Sequence, residues 1–204
     1  MKIICIGKNY LKHVKEMQGK EAPKSPVFFL KPETAKLTDN NPFFYPEFSK
    51  EIHYETEVVL KISKVGKYIE KQFAHRYYDE ISLGIDFTAR DLQKACKAKG
   101  FPWEIAKAFD NSAPFGEFVP KNNYTDINQM NFKLLKNGKE VQNGNTRDMI
   151  FDFDTIVSYV SQFFTLKIGD LVYTGTPEGV GPVTVGDRLE AFLEDKKMLD
   201  FEIK

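Results

Sequence analysis

Cysteine is scarce: Cys5 and Cys96 are the only two in 204 residues, and they lie far apart in the chain. The short apolar stretch Ile3 to Ile6 is too brief for a signal peptide's core. A disulfide framework is therefore not expected, and a reduced, cytoplasmic setting is. No apolar run approaches the roughly 20 residues that span a bilayer, so no membrane association is expected. Neither sign of charge dominates, with 29 basic residues against 29 acidic ones. No long-range field then favours nucleic acid or an anionic surface. Internal repeats and low-complexity segments are missing, as are the CxxC and HExxH spacings, and the three histidines are scattered. Zinc is disfavoured accordingly. What is present, 42% hydrophobic residues, suffices for a sizeable buried core, and one domain over residues 1–204 is expected.

Strand signals outnumber helical ones. Short apolar strands are expected at Lys2 to Ile6 and Pro26 to Leu30, a longer one at Glu51 to Ser63, and an alternating one at Ile81 to Phe87. Asn137-Gly138 between two strand-like runs is a strong hairpin signal. A closing hairpin pairs Arg188–Leu193 with Met198–Ile203 across Glu194 to Lys197. Helices are expected over Thr88 to Lys99, with Gly100 as the stop, and over Thr155 to Phe164, where Ile156, Val157, Val160, Phe163 and Phe164 share one stripe. Shorter helices are expected around Leu11 to Gln18 and Glu70 to Tyr78. Without regular β-α alternation, the class is α+β and β-rich.

The segment His53-Tyr54-Glu55-Thr56-Glu57 carries the sharpest signal. In an unbroken strand His53, Glu55 and Glu57 share one face, and the two carboxylates sit about 7 Å apart. They repel unless solvated or bridged by a cation, so a solvent-facing edge and a metal site both fit. Asp86 follows the alternating strand and precedes a helix. It reads either as a helix cap or as a third carboxylate ligand. Three carboxylates from two strands would suit Mg²⁺ or Mn²⁺. Arg90 and Gln93, three apart, point to the same side of the following helix.

These residues, taken with their neighbours, resemble the fumarylacetoacetate hydrolase family. The resemblance is closest to its small single-domain acylpyruvate hydrolase and oxaloacetate decarboxylase branch. It is carried by Gly7-Lys8-Asn9-Tyr10 through His13 and Glu16, Phe29-Leu30-Lys31-Pro32, His53 to Glu57, and Asp86 to Gln93. Gly100-Phe101-Pro102-Trp103 with Lys107, and Thr174 to Pro182, complete it. The resemblance implies a compact β-rich roll, a homodimer, and Glu55, Glu57 and Asp86 as ligands of Mg²⁺ or Mn²⁺. It implies that Arg90, Gln93 and Lys107 hold the α-keto acid end of a small substrate. His13 and Glu16 match a water-activating pair on a mobile lid, about residues 8–20, and Thr176 would face the same pocket. Two departures separate the chain from the larger fumarylacetoacetases. It has no counterpart of their additional N-terminal domain, and Gly7 to Tyr10 offers no further acidic ligand.

The chemistry so implied is metal-dependent hydrolysis of a C–C bond in acylpyruvates, releasing pyruvate, with oxaloacetate decarboxylation as a second activity through the same pyruvate enolate. A cation is the electron sink, and Lys107 and Arg90 add fixed positive charge. His13 is the base that takes a proton from water, and Glu16 supports it. A 2-keto acid isomerase or hydratase and a non-catalytic ligand-binding protein stay open as alternatives. Cys5 and Cys96 read as packing, Trp103 as packing, and Lys94, Lys97 and Lys99 as the solvated side of their helix. Gly179 to Pro182 lacks the Lys-Ser/Thr of a phosphate loop and reads as a turn.

Overall fold

Val58-Val59-Leu60 is a continuous apolar run, which suits a strand buried on both faces. It lies in β5 (Thr56–Ile62), inside a six-stranded sheet. The order of that sheet is β2 (Val27–Lys31), β1 (Ile3–Gly7), β12 (Leu171–Tyr173), β5, β6 (Tyr78–Ile85) and β9 (Val119–Pro120). β1 and β12 run parallel, and every other neighbour is antiparallel. This computed structural model describes residues 1–17 and 21–204.

A second, antiparallel sheet runs β11 (Lys139–Asn145), β10 (Asn131–Lys136), β14 (Arg188–Leu193) and β15 (Lys196–Glu202). Phe132, Leu134 and Ala191 from this sheet join Val58, Leu60 and Leu83 from the first in one buried core. Asn137 and Gly138 take φ values of 54° and 76°. That is the left-handed pair a two-residue hairpin turn needs, as the sequence leads one to expect. Two small ribbons complete the roll: β13 (Gly181–Pro182), β4 (Ile52–Tyr54) and β7 (Thr88–Ala89), and β3 (Lys36–Leu37) beside β8 (Ala113–Pro114). The helices are α1 (Leu11–Glu16), α2 (Lys71–Ala74), α3 (Arg90–Lys99), α4 (Glu104–Lys107) and α5 (Phe153–Phe163). This is the expected β-rich α+β roll.

Several boundaries differ from the sequence reading, each for a local reason. The long strand at Glu51 to Ser63 is broken at Glu55, because β4 leaves the main sheet to pair with β7 and β13 while β5 stays in it. The helix read from Thr88 begins only at Arg90, since Thr88 and Ala89 are spent on that pairing. α2 is one turn, and Tyr78 already belongs to β6. α1 ends at Glu16; Gln18, and residues 18–20 of the expected lid, lie outside the described residues. Asp152 caps α5 by accepting from the Thr155 N–H at 2.7 Å, which moves that helix start two residues earlier. Phe163 ends the helix 52% exposed, outside the buried stripe.

On its other face the main sheet carries a smaller buried cluster that includes Ile3, Cys5, Val59 and Tyr173. Gly84 faces the Tyr173 ring so closely that an added Cβ would lie 2.6 Å from it. The ring cannot swing away, because its hydroxyl donates to the carbonyls of Ala113 and Pro114, each at 3.1 Å. Gly84→Ala is therefore an overpacking substitution and should cost about 1–3 kcal/mol, read as a lower denaturation midpoint at unchanged m. An unchanged midpoint would show that the ring relaxes freely.

Candidate metal centre

The break at Glu55 builds the site. Glu55 stands between β4 and β5, Glu57 is on β5, and Asp86 follows β6 directly. Register sets Glu57 opposite Gly84, and the Asp86 N–H donates to the Glu55 carbonyl at 2.8 Å. One oxygen from each of the three carboxylates lies within 4.8 Å of the others. All three residues are buried; none exceeds 6% exposure. The solvent-facing edge is thus ruled out for Glu55 and Glu57, and Asp86 does not serve as a helix cap. His53 does not share their face. With the strand broken, its Nε2 lies 3.1 Å from Glu51 instead.

Three buried cations interleave the three acids. The Lys107 ammonium, brought in by α4, donates to Glu55 Oε2 at 2.9 Å, to Asp86 Oδ2 at 2.6 Å and to the Thr88 hydroxyl. Arg90 donates to Glu55 Oε1 at 2.6 Å and to Gln93 Oε1 at 2.8 Å. Lys31, at the end of β2, lies 2.8 Å from Asp86 Oδ1. Its hydrogen bonds, however, go to the Phe87, Lys107 and Ser112 carbonyls and the Ser112 hydroxyl. Asp86 Oδ1 is therefore buried and accepts no hydrogen bond. Glu57 has a different partner, the Gly175 N–H at 2.7 Å in the loop after β12.

These placements pull the titrations apart. Burial pushes the Glu57 carboxyl well above the usual carboxylate range, and the charges of Asp86 and Glu55 push the same way. Burial acts likewise on Glu55, but Lys107 and Arg90 overcome it and hold that carboxyl below the usual range. For Lys107, burial works against the ammonium, yet Asp86 and Glu55 raise its proton affinity above the ordinary value. A divalent cation fits this donor set: hard oxygen ligands, a buried oxygen that among the described residues accepts no hydrogen bond and has only the Lys31 ammonium beside it, and a carboxyl whose negative charge is unstable as it stands. Ligand distances near 2.0–2.1 Å put opposed oxygens about 4.2 Å apart, so the widest separation must shrink only slightly.

A cavity of ≈ 260 Å³ opens over Glu55 and Glu57, with His13, Arg90, Gln93, Lys107 and Thr176 among its walls. Asp86 lies beneath Lys107, off the cavity wall. His13 Nδ1 is 3.1 Å from Glu16 Oε2, and Glu16 Oε1 accepts from the Gly179 N–H at 3.0 Å. α1 is thereby held to the loop that carries Thr176. Every site residue expected from the sequence meets at this cavity or, for Asp86 and Glu16, directly behind its wall.

Three supporting residues escaped the sequence reading. Lys31 is one. Asn9, fully buried, donates to the Phe151 and Thr174 carbonyls and accepts from the Phe151 N–H. Gln142 donates to the Thr176 hydroxyl at 2.9 Å and accepts from the Thr56 N–H at 3.0 Å. Lys31 and Asn9 lie inside motifs that carry the resemblance but were given no role there, and Gln142 lies in none; the partners of all three are distant in sequence. Trp103 and Lys97, read as packing and as solvated surface, both line the cavity. Cys5 is fully buried, and burial, reinforced by Asp86, raises its thiol well above the ordinary value, as suits packing.

The family model for the fumarylacetoacetate hydrolase C-terminal region matches residues 2–204, and the chain belongs to that family. It is 41% identical over 202 residues to the mitochondrial oxaloacetate tautomerase FAHD1 of Mus musculus, covering 99% of this chain and 91% of that protein. It is also 41% identical over 186 residues to the mitochondrial oxaloacetate decarboxylase of Dictyostelium discoideum, covering 91% and 85%. The crystal structure of fumarylpyruvate hydrolase from Pseudomonas aeruginosa, in complex with Mn²⁺ and pyruvate, superposes with a TM-score of 0.94 at 35% identity. That match covers 100% of this chain and 89% of that one. Among the described residues no helix is long and apolar enough to cross a membrane.

Because the Glu57 value is raised in the fold, the metal-free chain loses stability as pH rises through it. A cation at the triad must displace that proton. Mg²⁺ or Mn²⁺ at about 100 times its dissociation constant should add about 2.7 kcal/mol of stability, and at a fixed metal concentration the gain should grow as pH rises. Thermal unfolding checks both. A Glu57→Gln chain stabilised as much, with the same pH trend, would place the cation elsewhere.

Proposed function

We propose that this chain is a divalent-metal-dependent enzyme acting on small 2-oxo acids with a second carbonyl at C4, through their enolates. Oxaloacetate is the first substrate, and its enol–keto interconversion the first reaction. The reading rests on one observation: a base, His13, and two buried cations, Arg90 and Lys107, face one small cavity around the carboxylate triad. It draws on the relatives named for oxaloacetate tautomerisation and decarboxylation. Glu55, Glu57 and Asp86 would hold Mg²⁺ or Mn²⁺, which when bound supplies a Lewis acid for the oxygens of the 2-oxo acid end.

The chain's own residues do the rest. Arg90 and Gln93, one helical turn apart on α3, orient the carboxylate. Lys107 sets a fixed positive charge where negative charge develops on the C2 oxygen. Glu16 accepts from His13 Nδ1–H, which leaves the lone pair on Nε2. For enol–keto exchange, Nε2 takes the C3 proton, the electron pair passes to the C2 oxygen, and that oxygen takes a proton to give the enol; in the reverse direction the C2 hydroxyl gives up its proton and His13 returns one to C3. α1, tied to Gly179 through Glu16, keeps bulk water from that proton.

The hydrolysis expected from the sequence is the second reading, favoured by the same His13–Glu16 pair. Nε2 then takes a proton from water, and the hydroxide adds to C4. The C3–C4 bond breaks with its electron pair moving to C3, and His13 returns the proton there, giving pyruvate and a carboxylic acid. Oxaloacetate decarboxylation needs neither water nor a C3 proton removed.

Enol consumption, and pyruvate release from acetylpyruvate and from oxaloacetate, separate these activities when followed with Mg²⁺, Mn²⁺ and a chelator. Chelation should abolish all that occur. His13→Ala should lower enol–keto exchange and acetylpyruvate cleavage by about 10²–10⁴, with decarboxylation falling far less and metal-induced stabilisation unchanged. A His13→Ala chain that loses nothing, or an activity indifferent to chelation, contradicts the proposal.

A further inference from the structure

Two lysines at the cavity lie outside everything used so far. Lys97 stands on α3 at the position that continues the Arg90 and Gln93 stripe, three and then four residues on, and lines the same cavity. Its ammonium lies 5.1 Å over the ring of Trp103, also a wall residue. Lys8 lines the cavity from another wall, just after β1. It also lines an adjoining space of ≈ 420 Å³ that shares Phe29, Trp103 and Lys107 with the first.

Lys8 is held there at some cost. Its φ is 61°, a left-handed conformation that non-glycine residues rarely adopt and that persists only where the surroundings impose it. The next residue, Asn9, is fixed by three hydrogen bonds, to the Phe151 and Thr174 carbonyls and from the Phe151 N–H. Neither lysine has a carboxylate within ion-pair distance among the described residues. The acids beneath them already have partners: Arg90 and Lys107 at Glu55, Lys31 and Lys107 at Asp86, and the Gly175 N–H at Glu57. Burial first, then the positive charges of Arg90 and Lys8, lower the proton affinity of Lys97. The two lysines are thus close enough to repel, and an anion between them relieves that repulsion.

We propose that Lys8 and Lys97 form a subsite for a second carboxylate, distal to the 2-oxo acid end, so that the cavity prefers dicarboxylic 2-oxo acids to those with neutral tails. This rests on the 2-oxo acid reading above. It assigns the choice between oxaloacetate-like and acylpyruvate-like substrates to two residues away from the reacting atoms.

The test uses two acids that lack the C4 carbonyl, so neither is cleaved or decarboxylated, and C3 proton exchange returns each unchanged. 2-Oxoglutarate and 2-oxovalerate have the same chain length and differ in the distal carboxylate. Calorimetric titration of the Mg²⁺-loaded chain should give roughly tenfold tighter binding of 2-oxoglutarate. Lys8→Met and Lys97→Met should each remove most of that advantage and leave 2-oxovalerate binding as it was, which also reports an intact site. Lys97→Arg should keep it. Equal affinities in the unmodified chain, or variants that weaken both acids alike, overturn the subsite. Oxaloacetate turnover, assayed in parallel, decides the enolate reading separately, because neither titrant depends on it.

Discussion

The structure turns on one buried arrangement: Lys107 with its ammonium shared between Glu55 and Asp86. Charges taken out of water are costly, and breaking such a pair by removing one partner leaves an uncompensated charge worth several kcal/mol. The surrounding chain is organised to avoid that outcome. β4 and β5 part at Glu55 so that two acids two residues apart enter the same pocket. α3 brings Arg90 to the remaining Glu55 oxygen, and β2 ends in Lys31 beside Asp86. Glu57, the acid farthest from a cation partner, takes a backbone N–H from Gly175 instead.

This arrangement also prepares chemistry. Three cations against three acids, of which Glu57 is inclined to keep its proton, can accept a divalent cation when that proton is given up. On the proposed reading the cavity then carries excess positive charge, suited to a carboxylate and a developing enolate. His13 enters from the opposite wall, and its orientation depends on Glu16, which bridges to the loop bearing Thr176. His13, the acid cluster and the Arg90–Gln93 pair therefore come from separate elements, with Arg90 bonded to Glu55 and Glu16 bonded to both His13 and Gly179.

Much of this was legible in the sequence, unevenly. The Glu55/Glu57 spacing, Asp86 at a strand end and the Arg90/Gln93 pair are local patterns, and the family resemblance joined them to Lys107, His13, Glu16 and Thr176. The Asn-Gly hairpin was legible because turn chemistry is local. The break at Glu55 was not, because it comes from β4 pairing with β7 and β13, which lie far along the chain. The roles of Lys31, Asn9 and Gln142 were hidden for the same reason, since their partners lie 34 to 165 residues away: Gln142 reaches Thr176, a separation of 34, and Asn9 reaches Thr174, a separation of 165. Lys97 misled because a helix rich in lysine looks solvated on every side until the cavity beside it is known.

The central claim is that the triad is a metal site. Anomalous diffraction from crystals grown with Mn²⁺ tests it most directly. One strong peak should appear between the Glu55, Glu57 and Asp86 carboxylates, with all three oxygens at bonding distance. A peak elsewhere, or none while Lys107 alone bridges Glu55 and Asp86, would contradict the account.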